Sequence, residues 1–212
     1  MKNFYLLVFF FLCAGFAVGQ NKDTLITDNY PITTNMLKNY PRELSVGNMF
    51  AFDKAWFVND SINQALVVDL ATDYHCHRLT HFYIDDVPEN LINEMWKITL
   101  PDSLPLKNIL TNFQIMVKKG KPINRSYFTT NKGIQLGDDK QKFLKIYNIP
   151  DSYAYYGVIE KLEWWFDGEY FESDFIKPET PKPIAKESFG YRVTAYFRND
   201  KLIAMMLQND IP

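Results

Sequence analysis

The chain has little cysteine, no long internal apolar run and almost no net charge, and each shortage excludes a class of protein. Only Cys13 and Cys76 are cysteines among 212 residues, so the chain is not a disulfide-stapled scaffold. No apolar stretch beyond the N-terminus is long enough to cross a bilayer. The formal net charge is −2, whereas nucleic-acid-binding proteins usually have an excess of basic residues. The hydrophobic fraction of 47%, with 16% aromatic residues, instead predicts a packed core.

Motifs of nucleophilic and phosphate chemistry are also missing. The chain has no Gly-x-Ser-x-Gly elbow, and its nine glycines are scattered singly rather than gathered in a phosphate-binding loop. Cys76 has histidines beside it in sequence, but neighbours on a strand point to opposite faces, so neither is well placed to act as its base. These absences favour a protein that is not an enzyme.

The first 20 residues have the pattern of a secretory signal peptide. Lys2 precedes an unbroken apolar run over residues 4–11, and small residues stand at Ala17 and Gly19. This pattern predicts a signal peptide over residues 1–19 with cleavage after Gly19. Cys76 would then be the only cysteine left, which excludes an intramolecular disulfide. We expect a secreted protein, or a periplasmic one in a Gram-negative bacterium.

The segment 20–120 is predicted to form a three-stranded antiparallel meander followed by a helix. Partly alternating apolar residues cover about 50–58, 62–70 and 74–84, and short turns separate them. The spacing of a capping box is followed by an apolar stripe of helical period, made of Val87, Leu91, Ile92, Met95 and Trp96. Outside these elements, the sequence predicts a short helix at 35–39, a loop at 98–109, and strands at 113–118 and 125–130.

The segment 128–212 is predicted to open with a helix. Asp138 and Gln141 have the spacing of a second capping box. Asn148 suits the end of this helix because asparagine tolerates the left-handed conformation, and Pro150 blocks its continuation.

Strands are predicted to fill the remainder of the chain. Asp167-Gly168 and Asn199-Asp200 are both dipeptides that favour β-hairpin turns. Strands that come in runs, instead of alternating with helices, indicate an α+β protein with antiparallel sheets and two or three short helices. The segments 20–120 and 128–212 are either two domains or one continuous domain.

The segment 132–150 resembles the opening of the BamE (SmpA/OmlA) and β-lactamase-inhibitor-protein-like modules. Those modules begin with an Ile-x-x-Gly turn, here residues 134–137, followed by a helix and a Gly-x-Pro stop, here Asn-Ile-Pro at 148–150. Residues 196–203 resemble their closing hairpin. The resemblance covers about 132–212, and it implies a small bacterial module that binds other proteins and has no catalytic residues.

All three histidines, His75, His77 and His81, lie within seven residues. On a strand, odd positions share a face, so His75 and His77 would lie about 7 Å apart on one side. A His-x-His pair of this kind can ligate zinc, although His81 would need a bend to join it. A zinc-binding protein or metal-dependent hydrolase that uses these histidines is therefore the alternative function. The simpler interpretation is a solvated strand face.

A cluster of aromatic and acidic residues occupies 160–171. Trp164, Trp165 and Tyr170 are candidate partner-binding residues, because large aromatic side chains often anchor interfaces. Carboxylates among aromatic rings are also typical of sugar sites, whereas a hairpin with one buried aromatic face needs no ligand. We predict a non-enzymatic protein without a cofactor that binds another envelope or secreted protein, or takes part in envelope assembly, with a sugar as the alternative partner.

Overall fold

The computed structural model describes residues 24–25, 42–46, 51–70, 76–97, 106–123, 129–168, 170, 184–185 and 189–209. Predictions that fall on other residues lie outside this description. They concern the signal peptide and its cleavage after Gly19, the helix at 35–39, and most of the strand at 125–130.

One long sheet dominates the described part of the chain. Its strands are β2 (Arg42–Val46), β3 (Ala51–Asn59), β4 (Gln64–Leu70), β5 (Cys76–Tyr83), β6 (Lys121–Pro122), β7 (Ser152–Tyr156), β8 (Ile159–Asp167), β10 (Gly190–Arg198) and β11 (Lys201–Asn209). Eight of them form the row β2-β3-β4-β5-β11-β10-β8-β7, in which every neighbouring pair is antiparallel. The short β6 runs parallel to β3, and β1 (Thr24–Leu25) pairs separately with β9 (Ile184–Ala185).

The described residues contain three α-helices, and the α+β class with an antiparallel sheet is confirmed. They are α1 (Glu89–Lys97), α2 (Leu106–Lys119) and α3 (Lys140–Tyr147). None of the helices in the described part is long and apolar enough to cross a membrane. Because β5 pairs with β11, residues from both 20–120 and 128–212 contribute to the same sheet.

The prediction of loop at 98–109 and strand at 113–118 is wrong over α2. Ile109, Phe113 and Val117 recur every four residues, and their side chains lie on one partly buried face of the helix. A short apolar stretch fits both a strand and a helix, and contacts with the sheet decide between them. Phe113 makes those contacts, with ring centroids 5.9 Å from Trp56 and 5.5 Å from Phe82.

Helices cover both faces of the sheet, which is why its inner strands are apolar on both sides. α1 and α2 pack on the face that includes Trp56 and Tyr196. α3 packs on the opposite face with Phe57 and Trp164. The adjacent residues Trp56 and Phe57 are both fully buried, so strict alternation of apolar and polar residues is lost in β3.

The helix predicted from Asp138 to Asn148 is confirmed as α3, but its predicted capping box is wrong. Asp139 is the N-cap and makes no side-chain capping hydrogen bond. The Asp138 carboxylate instead accepts hydrogen bonds from the Gln135 backbone N–H at 2.9 Å and from Lys142 Nζ at 2.7 Å. Asn148 ends the helix with a φ of 64°, as its tolerance of positive φ predicts.

One of the two predicted hairpin turns is present and the other is not. Asn199 and Asp200 both have positive φ and join β10 to β11 by a two-residue turn. The hairpin predicted at Asp167-Gly168 is wrong, because β8 pairs with β7 on one side and with β10 on the other. The turn that makes the β7–β8 hairpin is at Gly157, where φ is 61°.

A buried charge network holds α1 against β3, β4 and β5. Arg78 pairs with Asp69 and donates hydrogen bonds to the backbone carbonyls of Glu94 at 3.1 Å and Met95 at 2.9 Å. Lys54 Nζ also donates to the Met95 carbonyl, at 2.8 Å. Two cations thus satisfy carbonyls of the last turns of α1, where the helix dipole favours positive charge.

Candidate functional site

The two edges of the long sheet differ in their protection against another strand. At one edge, β2 contains Arg42 and Glu43, and β6 contains Lys121 and Pro122. Charged residues and proline are the usual means by which proteins prevent strand addition. β7, at the other edge, has the sequence Ser-Tyr-Ala-Tyr-Tyr, without charge or proline. Within the described residues β7 pairs only with β8, so its outer side is the unprotected edge of the sheet.

Large apolar side chains are exposed along β7 and at both of its ends. Tyr153 and Tyr155 are 70% and 67% exposed, and Tyr156 is 46% exposed. Ile149, just before the strand, and Val158, in the turn after it, are the most exposed of all, at 87% and 74%. We call these five residues the β7 edge surface. Exposed apolar side chains that cluster in this way often mark an interaction site.

Two of the three tyrosines of β7, Tyr153 and Tyr155, lie on the face of the sheet that α3 covers, where they stay exposed. Tyr153 pairs with Leu162 and Tyr155 pairs with Glu160 of β8, and paired residues share a face. The two tyrosine rings meet edge to face with centroids 6.4 Å apart. The Tyr155 hydroxyl donates a hydrogen bond of 3.4 Å to Glu160. The two rings thus form one exposed aromatic patch beside Glu160.

An ion-pair cluster borders the β7 edge surface. Lys140 Nζ lies 2.8 Å from Glu160 Oε2 and 2.6 Å from Asp200 Oδ1. Hydrogen bonds to Asp200 and Glu160 raise the pKa of Lys140 to about 12. The ammonium is therefore charged at any physiological pH, and it neutralises the carboxylate nearest to the tyrosines.

Trp164, one of the three predicted partner-binding residues, belongs to the core. It is 1% exposed, and its indole N–H donates a 3.1 Å hydrogen bond to the Asn148 carbonyl. Its ring lies 5.3 Å from that of Phe143 and 5.7 Å from that of Tyr147. Trp164 therefore joins α3 to the sheet and is not available as a surface anchor.

Trp165 and Tyr170, the other two predicted anchors, are exposed. Trp165 is 46% exposed on the opposite face of β8, and the Arg192 guanidinium lies 5.8 Å from its ring centroid. Tyr170 is 52% exposed and its ring lies 5.3 Å from that of Phe189. A shallow cavity of about 160 Å³ lies here, lined by Trp165, Phe166, Asp167, Phe189, Gly190, Tyr191 and Arg192.

Four polar side chains meet between α1 and strands β8 and β10. Lys161 Nζ lies 2.5 Å from Glu94 Oε1 and 3.0 Å from Glu163 Oε1, and the Tyr196 hydroxyl donates to Glu94 Oε2 at 3.0 Å. Burial opposes the charged form of Lys161, but hydrogen bonds and charges from Glu94 and Glu163 outweigh it and raise its pKa. Burial is also the main reason why the pKa of Tyr196 is raised. A charged ammonium and a protonated phenol are not set up as a base or a nucleophile, so we interpret this cluster as structural.

Another cavity, lined by described residues, lies between α1 and α2. Its volume is about 540 Å³, within the usual range for small-molecule sites. Its apolar wall residues are Ile84, Val87, Ile92, Leu110, Phe113 and Val117. Its polar or charged ones are Asp85, Glu89, Gln114 and Lys118. The cavity was not predicted because it exists only when residues 106–119 are helical.

The histidine cluster is only partly within the described structure. His81 is fully buried, its Nε2 lies 3.0 Å from Gln64 Oε1, and burial lowers its pKa to about 3. In the β4–β5 register, Asp69 and Leu70 pair with Arg78 and Cys76, so a bulge at His77 interrupts the alternation. His75 lies outside the described residues.

Zinc binding by His75, His77 and His81 stays a prediction. Among the described side chains, no group of three histidine, cysteine or acidic residues could hold a metal ion. The burial of His81 and its contact with Gln64 have a structural explanation of their own, as a neutral histidine paired with an amide.

The chain matches no protein-family model, no curated protein and no solved structure. Its resemblance over 132–212 to BamE-like and β-lactamase-inhibitor-protein-like modules therefore stays a prediction. The order of elements in this part is α3 followed by the antiparallel strands β7, β8, β10 and β11.

Proposed function

We propose that this protein is a secreted, non-enzymatic binding module that accepts an extended segment of another protein at the β7 edge. The observation that supports this function best is the contrast between the sheet's two edges. One edge has charged residues and proline, whereas β7 has neither and presents exposed tyrosines. The resemblance to protein-binding modules agrees with it.

Strand addition would use both the backbone and the side chains of β7. The outward N–H and C=O groups of an edge strand supply hydrogen bonds that do not depend on the partner's sequence. Tyr153 and Tyr155 supply selectivity, because tyrosine offers a large contact area with few rotatable bonds. Trp165 lies close to the start of the strand, since its backbone N–H donates a 2.9 Å hydrogen bond to Asp151. Its side chain lies on the face of the sheet opposite Tyr153 and Tyr155, so it would contact a partner from that face.

The proposal is tested by affinity capture from an envelope extract with the wild type and a Tyr153→Lys/Tyr155→Lys variant. Both tyrosines are largely exposed, so the variant is expected to fold while two charges block the edge. Ile115→Lys is the matched control, because Ile115 is an exposed apolar residue of α2 that lies outside the edge. Loss of a dominant partner only in the tyrosine variant is the expected result. A partner retained equally by all three proteins would contradict the proposal.

Hydrogen exchange gives a second readout on the same complex. The amides of Ser152–Tyr156 that do not already bond to β8, every second one along the strand, should become protected when the captured partner is added, because an added strand bonds to these outward groups. Protection elsewhere, with β7 unchanged, would place the interface on another surface.

A second candidate function is the binding of a small apolar molecule between α1 and α2. The size of that cavity and its six apolar wall residues favour it. Val117→Trp would fill the cavity and should weaken the binding of a fluorescent apolar probe. Ile115→Trp on the exposed side of the same helix is the control. Equal binding by both variants would exclude this cavity as the probe's site.

A further inference from the structure

We infer that the strand which the β7 edge accepts is the β7 strand of a second copy of this chain, paired antiparallel about Ala154. The inference rests on the proposed function, because it requires the β7 edge to accept a strand. Such pairing would join two eight-stranded rows into one continuous sheet through a twofold axis. An interface of this kind uses the same patch on both copies, so the patch must be complementary to itself.

The sequence of β7 has this self-complementarity. With Ala154 on the axis, Tyr153 faces Tyr155 of the second copy, and the symmetric pair repeats the contact. Directly opposed aromatic side chains are among the most favourable cross-strand pairs. Ser152 faces Tyr156 of the second copy on the other side of the sheet. All of these residues are partly or largely exposed in the single chain.

The two ends of the β7 edge surface also come together in this register. The segment just before β7 in one copy would lie beside the β7–β8 turn of the other, which brings Ile149 near Val158 of the second copy. Ile149 and Val158 have the largest exposed fractions among the apolar residues of the described structure. A parallel pairing would separate them, so only the antiparallel arrangement covers both.

Charge does not oppose the pairing. β7 has no ionisable group apart from its tyrosine hydroxyls. Asp151 would lie beside the turn at Gly157 of the second copy. Glu160 lies behind Tyr155 in β8, where it pairs with Lys140, so no carboxylate faces another. The net charge of −2 for the whole chain adds little repulsion. Since β7 has only five residues, the interface is small, and we expect a dimer that dissociates on dilution.

Sedimentation velocity over a wide range of protein concentration tests the dimer. The wild type should move from the monomer to the dimer position as concentration rises, and so should the Ile115→Lys control. Tyr155→Lys should stay at the monomer position, because each interface would contain two buried ammonium groups. A dimer that persists in Tyr155→Lys would overturn the inference, as would a wild type that stays monomeric throughout.

A cysteine on the axis tests the register. In a Cys76→Ser background, Ala154→Cys places two sulfurs directly opposite each other, so mild oxidation should give a covalent dimer. Ser152→Cys is the matched control: its two copies would lie about 13 Å apart along the strands, beyond the Cα separation of about 7 Å that a disulfide can span. Equal cross-linking at both positions, or at neither, would overturn the register. If Cys76→Ser does not fold, peptide mapping of Ala154→Cys with Cys76 retained answers the same question.

These results separate the inference from the proposed function. If the wild type is monomeric and Ala154→Cys does not cross-link, but the tyrosine variant still loses a captured partner, the partner is a different protein. The second copy is then excluded while strand addition at β7 stands. If Tyr155→Lys dimerises like the wild type, and Tyr153→Lys/Tyr155→Lys captures the same partner as the wild type, both proposals fail.

Discussion

The two ends of the sheet differ in the side chains that they bury and in the residues of their edge strands. Near β3, β4 and β5 the interior contains Lys54, Asp69 and Arg78, all less than 4% exposed. Near β7 and β8 the interior is an aromatic cluster around Phe143 and Trp164. The ionic end stops at strands that contain charge and proline, whereas the aromatic end stops at an uncharged strand of tyrosines.

We propose that this difference assigns stability and association to separate parts of one sheet. The charge network is buried and attaches α1 through its backbone carbonyls, so it offers no surface to a partner. The aromatic cluster stabilises the β7–β8 hairpin from one face and leaves the outer strand uncovered. If this division is right, substitutions at the ionic end and in the aromatic core will lower stability, and those at the β7 edge will lower association alone.

The largest effect is expected at the ionic end, from Arg78→Ala. Removing the guanidinium leaves Asp69 with Lys54 Nζ at 4.0 Å as its remaining ion-pair contact. The Glu94 carbonyl loses its Arg78 donor, and the Met95 carbonyl keeps only Lys54 of its two side-chain donors. Breaking a buried ion pair in this way costs about 3–5 kcal/mol. Arg192→Ala, on an exposed side chain, should change the free energy of unfolding by less than about 0.5 kcal/mol. Equal urea midpoints for the two variants would contradict the structural importance of the network.

A pH-dependent effect of His81 is expected next. Burial lowers its pKa from 6.5 to about 3 in the folded state, so between these values the unfolded chain binds the extra proton. The free energy of unfolding is therefore unaffected by protonation of His81 above pH 6.5, the pKa of this histidine in the unfolded chain. It decreases as pH falls below that value. Between pH 7 and pH 5 this loss should be roughly 2 kcal/mol.

The contribution of His81 is isolated by a variant that cannot titrate. His81→Gln should lose less stability than the wild type between pH 7 and pH 5, whatever its stability at pH 7. Urea unfolding at both pH values gives the comparison. An identical loss in the two proteins would mean that His81 is solvated or protonated in the folded state.

Local signals in the sequence predicted more of the fold than non-local ones could. α1 and α3 were found because an apolar stripe and the stop at Asn148 are contained in a dozen residues. α2 was missed because Phe113 and Val117 fit either period until the sheet is present. The pairing of β5 with β11 joins residues more than a hundred positions apart, and no turn signal specifies such a contact.

The candidate site was predicted only in part, for the same reason. Trp165 and Tyr170 are exposed as expected, but Trp164 is buried because α3 packs over its side of β8. Strict alternation along β8 would have separated the two tryptophans, yet it does not tell which face α3 covers. Tyr153 and Tyr155 alternate visibly between Pro150 and Gly157, but that pattern does not reveal an edge strand. Their importance follows from the position of β7 at the end of the row.

The adjacent residues Trp164 and Trp165 allow the buried and exposed faces of β8 to be compared by their effect on stability. Trp164→Phe removes the indole hydrogen bond to Asn148 and part of the packing against α3, so it should cost about 1–2 kcal/mol. Trp165→Phe on the exposed face should cost less than about 0.5 kcal/mol. Thermal or urea unfolding measures both. A larger cost at Trp165 would show that the exposed face is covered in solution.

The smallest effect on stability is expected at the β7 edge. Tyr155 is 67% exposed, and its hydroxyl makes a long hydrogen bond of 3.4 Å to Glu160. In the monomer at low concentration, Tyr155→Lys should therefore change the free energy of unfolding by less than about 0.5 kcal/mol. At high concentration the wild type should gain stability that the variant lacks, because association selects the folded state. A concentration-independent cost of several kcal/mol would mean that Tyr155 supports the fold and that the two ends of the sheet do not divide their roles.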